Sequence, residues 1–134
     1  MSADLTWQII RKNHCFLRRQ RGIQKHFSVE PFNLRGTNSR RFNGLINKHG
    51  IDMKPAKEGP GVTVTLKIPR KAARPAKSKC VVVLRNREKL LRSVKAIAKS
   101  QRLGRFHMLA QRRASAIFRS QLPKSKKHVK KIDS

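Results

Sequence analysis

The sequence predicts an α+β fold: a small antiparallel sheet with helices packed on one face, a basic loop arm and a basic disordered C-terminal tail. Three observations predict it. Residues 61–68, GVTVTLKI, alternate apolar and polar side chains at period two, the pattern of a half-buried antiparallel strand. Residues 86–101 set Leu90, Leu91, Val94, Ile97 and Ala98 on one stripe at helical spacing. A second helical run covers about 106–121, until Pro123 stops it. Strands followed by two helices give an α+β domain, assigned to residues 1–121, with 122–134 as the tail.

Each element has a local reason. Ser2 can cap a helix over residues 3–12, with Asp4 favoured by the dipole in the first turn and Arg11 and Lys12 closing the end. Leu5 and Ile9 share one side of it, Trp7 and Ile10 another. HCFLRRQ and IQKHFSV flank Arg21-Gly22, which predicts a hairpin with Ile23, Phe27 and Val29 on one face and Glu30-Pro31 as its stop. RFNGLIN, residues 41–47, reads as a short strand with Gly44 at a bulge or close approach. The EGPG turn at 58–61 launches the clearest strand, whose Val62, Val64, Leu66 and Ile68 face one way, and KCVVVLR at 79–85 is its neighbour. Between them PRKAARPAKSK, 69–79, has two prolines and no large apolar side chain, so it is a loop or hairpin tip. Its cations make it an arm that orders on phosphate. Asn86 can cap the first long helix and Gly104 breaks it, while LPKSKKHVKKIDS is low-complexity and basic, disordered until bound.

Charge sets the partner class. Thirty-four Lys and Arg face six Asp and Glu in 134 residues, a net charge of +28 and a pI near 12.0. Ten of those cations lie in residues 1–50 and ten more in 86–121, so the domain itself must meet phosphate on several sides. Leu, Ile, Val and Phe make up about a quarter of the chain, which predicts a thin core and folding linked to binding. Zinc-finger, bZIP and RRM signatures are absent, which points to phosphate gripping rather than base reading. Phe16, Phe27, Phe42, Phe106 and Phe118 fall where periodicity wants core. Trp7 and Phe32 are less clearly core, and Phe32, in the loop EPFNL, is the aromatic to test for base stacking.

The same inventory argues against an enzyme. Six scattered acids offer no carboxylate pair, and no nucleophile-elbow, P-loop or dinucleotide glycine pattern occurs. Cys15 and Cys80 are far from any C-x-x-C spacing and read as reduced core or strand thiols. His14, His26, His49, His107 and His128 lack ligand spacing, so no metal or cofactor is expected. No apolar stretch is long enough for a membrane span, and MSADLTWQIIRKNH lacks a signal peptide's apolar region, which predicts the cytosol or nucleus.

RRASAIFRS, residues 112–120, resembles a basophilic kinase site at Ser115. On a helix, however, Phe106, Leu109, Ala110, Ala114 and Ile117 form an apolar stripe, with Arg112, Ser115 and Arg119 opposite. Arg113 lies at the stripe's edge and must snorkel or reach across to a phosphate. A kinase needs its substrate extended, so the helix is the better reading, with one face for the core and one for a polyanion.

MSADLTWQIIR at the start, FSVEPFNL at 27–34, NSRRFNGLI at 38–46, GVTVTLK at 61–67 and RRASAIFRSQ at 112–121 occur in the order and spacing of one family. The chain resembles the eukaryotic-type large-subunit ribosomal protein of family twenty-eight. That resemblance implies an α+β structural constituent of the cytoplasmic large ribosomal subunit, assembled through the nucleolus, without catalysis, cofactor or small-molecule substrate. Its implied partners are large-subunit ribosomal RNA and neighbouring large-subunit ribosomal proteins. A nucleolar assembly factor for the same subunit has a related domain, but such factors carry a long acid-rich extension. A chromatin-type architectural factor acting on DNA is the further alternative. The charge pattern and the resemblance together nominate as RNA-binding Arg11, Lys12, Arg18, Arg19, Arg21, Arg40, Arg41, Arg70, Lys71, Arg74, Lys77, Lys79, Arg112, Arg113, Arg119, Lys124, Lys126 and Lys127.

Overall fold

The computed structural model describes residues 2–124. Helix α1 (Ala3–Ile10) starts as the sequence predicts, the Ser2 hydroxyl accepting from the Leu5 amide at 3.2 Å, but ends two residues sooner. It buries no residue, and its end is held by the Asn38 amide, which donates to the Arg11 carbonyl at 2.8 Å. The hairpin forms at Gly22 (φ +80°), yet its strands β1 (Leu17–Arg18) and β2 (Phe27–Ser28) are only two residues long. Ile23 and Val29 are exposed, so the predicted apolar face survives only at half-buried Phe27. The reason lies just beyond β2, where the chain turns to place Glu30 inside.

The second sheet runs β3 (Ile51–Pro55), β4 (Val62–Lys67), β5 (Lys79–Leu84), all antiparallel. Val62, Val64 and Leu66 are buried as the alternation requires, opposite Ile51 and Met53 of β3. Strand β3 is a correction: residues 41–47, expected to be a strand, form turns, and the strand lies at 51–55 instead. Its free edge is blunted. The Met53 amide donates to the Asp52 carboxylate at 3.0 Å, the Met53 carbonyl accepts from Arg113 at 3.3 Å, and Pro55 has no amide hydrogen. On the opposite edge, β5 leaves Val81 and Val83 exposed. The 69–79 connection contains two short 3₁₀ turns and buries nothing.

Asn86 accepts from the Glu88 and Lys89 amides and so caps a turn ahead of α2 (Leu90–Ser100). Leu90, Val94 and Ala98 are its buried stripe, while Leu91 is exposed. The helix stops at Arg102, not Gly104. Arg102 has φ +58°, the Leu103 amide donates to the Ala98 carbonyl at 2.8 Å and the Arg102 amide to the Lys99 carbonyl at 3.1 Å. These two bonds are a Schellman motif with arginine in the usual glycine place. A 3₁₀ turn (Gly104–Phe106) then leads into α3 (His107–Ser120), which buries Ala110, Ala114 and Phe118. The helices pack on one face of the three-stranded sheet, and Phe106 and Leu103 complete that core.

Two readings of single residues change. Phe32 is buried, not offered for stacking; it holds φ +64° over Gly50, with the Lys67 amine 5.1 Å from its ring centre. Cys15 sits exposed in a turn, and Cys80 is an exposed strand thiol.

The segment between the two sheets is organised by a buried carboxylate. Glu30 accepts from the Ser28 hydroxyl (2.9 Å), the Asn33 amide (2.9 Å), the Gly44 backbone N–H (3.0 Å) and, more distantly, the Asn43 amide (3.4 Å). Gly44 can approach only because it lacks a side chain: an added Cβ would stand 1.9 Å from the Pro31 carbonyl oxygen. Gly44→Ala is therefore expected to lower stability by at least about 3 kcal/mol in urea unfolding, and Glu30→Ala, which orphans several buried donors, by a similar amount.

Candidate nucleic-acid interface

Among the described residues only two ion pairs form, Arg40 with Asp4 and Lys54 with Asp52. The first joins two exposed side chains and adds little to stability. Nearly all the described cations thus lack an acidic partner among the described residues, and the elements above decide where they stand.

One group surrounds the end of α1. Arg11 and Lys12 are exposed there, and the Arg19 guanidinium donates to the Lys12 carbonyl at 2.6 Å. Arg40 is drawn to the same helix through Asp4, so residues distant in sequence share one surface. Arg18 bonds its local carbonyls and Arg21 is exposed at the hairpin turn.

A second group rings two aromatic side chains. The Phe42 and Phe106 rings lie 5.6 Å apart. Arg41 sits 5.5 Å from both ring centres, Arg35 is 5.9 Å from Phe42, and Arg105 is 4.7 Å from Phe106. Cation–π attraction places these guanidiniums, but their mutual repulsion is left for an outside anion to relieve. Of the three, the sequence nominated only Arg41. Arg35 and Arg105 were missed, although Arg41-Phe42 and Arg105-Phe106 repeat one dipeptide that could have signalled the pair.

Arg70, Lys71, Arg74 and Lys77 stand exposed along the loop, and Lys79 is exposed with its amine 5.9 Å from the Phe32 ring. On α3, Arg112 and Arg119 face solvent, as does Lys124 beyond it. Arg113 is different. It is half-buried, and its guanidinium donates to the carbonyls of Met53 (3.3 Å), Leu34 (3.0 Å) and Asn33 (3.5 Å), tying α3 to β3 and to the Glu30 loop. Lys126 and Lys127 lie outside the described residues.

Lys67 is also turned inward, donating to the carbonyls of Gly44 and Asn47. Burial pushes its amine below the ordinary lysine pKa; nearby Glu30 opposes that shift and Lys79 adds to it. No group of three or more His, Cys, Asp or Glu side chains able to hold a metal ion occurs among the described residues. None of their helices is long and apolar enough to cross a membrane.

The architecture can be set beside known proteins. A family model described as the Ribosomal L28e protein family matches residues 5–120. The large ribosomal subunit protein eL28 of Caenorhabditis elegans is 46% identical over 134 residues, all of both chains. Its namesake from Dictyostelium discoideum is 40% identical over 116 residues, 80% of this chain and 85% of the relative. The one from Schizosaccharomyces pombe is 35% identical over 135 residues, 92% and 96% respectively.

Neighbouring arginines on α3 should behave in opposite ways. Arg113→Ala is expected to cost about 2–4 kcal/mol in urea unfolding, because buried carbonyls lose a charged donor. Arg112→Ala should stay within about 0.5 kcal/mol of the parent while weakening RNA retention in filter binding. For Lys67 the folded state favours the neutral amine, so the unfolded chain binds more protons as pH climbs toward about 10.4. Thermal melts should show the parent gaining stability relative to Lys67→Met between pH 7 and pH 10.

Proposed function

The chain belongs to the ribosomal L28e protein family, a structural and non-enzymatic family, and from that premise we propose that it is a scaffold of the cytoplasmic large ribosomal subunit that binds and neutralises ribosomal RNA. The observation that carries the reading is the contrast between a hydrogen-bonded interior and an unneutralised exterior. Glu30, Asp52, Lys67 and Arg113 are committed to the fold. The exposed arginines and lysines just after α1 and on the hairpin, the loop arm and α3 have almost no acid to meet among the described residues. Charge facing several directions suits a protein wedged among RNA segments better than one lying along a single duplex.

Backbone phosphates then supply most of the affinity, through Arg11, Lys12, Arg19 and Arg40 at one surface and Arg35, Arg41 and Arg105 at another. The arm at 69–79 and the outer face of α3 reach further segments. Neighbouring large-subunit proteins would meet the apolar surface that the chain leaves open, Leu5 and Ile9 on α1 and Val81 and Val83 on β5. The family membership further implies assembly through the nucleolus.

Epitope-tagged protein should co-sediment with large subunits and polysomes and leave them when magnesium is withdrawn and salt raised. Tagged protein that stays at the top of the gradient would refute the reading, and so would release from nuclei by DNase rather than RNase. Binding of the purified chain to ribosomal RNA should weaken on the order of 10³-fold or more between 50 and 200 mM salt, as several phosphate contacts require.

A further inference from the structure

We infer that the cleft between the end of α2 and the start of the 69–79 arm seats one RNA phosphodiester, gripped by Arg102 together with Arg70. The inference rests on the RNA-binding reading above and names a site within it.

The strain at Arg102 is the starting point. A left-handed backbone costs an ordinary L-residue roughly 1–2 kcal/mol, which is why glycine dominates at this place in a Schellman motif. Glycine is available two positions later, at Gly104, where it is not needed: φ there is not positive, and an added Cβ would meet nothing closer than Lys99 Cγ at 4.0 Å. The backbone cost is not offset inside the fold either. Among the described residues the Arg102 side chain makes no hydrogen bond or ion pair, and it is exposed. Strain retained without an internal return points to a role outside the fold.

The cleft supplies that role. It has a volume of about 560 Å³ and is lined by Arg102 and Gln101 from the helix end, by Ile68, Pro69 and Arg70 from the arm, and by His49 from the loop before β3. No acidic side chain lines it. Arg102 and Arg70 bring two guanidiniums to one cleft, and the guanidinium fork matches the paired oxygens of a phosphodiester as a lysine amine does not. Pro69 and the His49 ring offer flat surface to the attached nucleoside. A helix C-terminus ordinarily repels anions, but here the Ile97, Ala98 and Lys99 carbonyls are each already hydrogen-bonded, which mutes that end.

The strain makes the test sharp, because fold and binding should move in opposite directions. Purified full-length chain and its Arg102→Gly variant are compared by thermal melting and by filter binding to large-subunit ribosomal RNA, with Lys57→Ala, a remote exposed cation, as the charge-matched control. Arg102→Gly is expected to raise Tm by roughly 2–5 °C while weakening RNA binding about tenfold relative to Lys57→Ala. Arg102→Lys should lose most of the same affinity without the gain in Tm, since it keeps charge and strain but not the fork. Equal binding by Arg102→Gly and Lys57→Ala, or a fall in Tm, would overturn the site while leaving the wider reading intact. Failure of the parent chain itself to bind this RNA would instead overturn the reading on which the site rests.

Discussion

A single buried carboxylate organises this basic chain. Glu30 gathers donors from Ser28, Asn33, Asn43 and the Gly44 amide, so one acid fixes the segment from β2 to residue 44. A buried charge is tolerated only when its hydrogen-bonding capacity is filled, and here both oxygens are used. The same segment then receives Lys67 at Gly44 and Asn47 and Arg113 at Leu34. Cations from the three-stranded sheet and from α3 thereby clamp the loop onto the larger core. Six acids are too few to neutralise the outside, and two of them, Glu30 and Asp52, serve the inside.

This arrangement explains how much of the fold was readable in the sequence. The β4 alternation, its partner β5 and both long helices were visible because their apolar spacing is set by a core they face directly. Strand β3 was not, since IDMKP offers only Ile51 and Met53 between charged residues and a proline, and Asp52 is spent on the strand's own edge. RFNGLIN looked like a short strand with Gly44 at a bulge; its turns answer instead to Gly44 and Asn43 meeting Glu30. Glu30 itself was read as a strand stop. A lone acid in a sea of cations reads as solvated until the tertiary donors around it are known.

The candidate interface was legible in its chemistry but less so in its membership. Charge density pointed to a polyanion as the partner class without locating any contact. It could not tell Arg112 from Arg113, adjacent letters whose side chains leave α3 toward solvent and toward three carbonyls. Nor could it nominate Arg35 and Arg105, which matter because two phenylalanines from separate segments bring them beside Arg41. Phe32 went the other way, from suspected stacking platform to buried wedge under Lys67. Aromatic rings here position cations rather than meet bases.

A thin core and a large positive charge would together make an isolated domain fragile, and the two facts have one resolution. Self-repulsion among exposed guanidiniums opposes the compact state, whereas phosphate bound across separate elements removes the repulsion and bridges those elements at once. Such a ligand adds contacts the core is too small to provide. The interior holds its loops in register through Glu30, Lys67 and Arg113, with hydrogen bonds rather than apolar bulk. On the proposed reading, the stability of the fold and the affinity for RNA would be parts of one equilibrium, and substitutions that separate them would identify which cations belong to each.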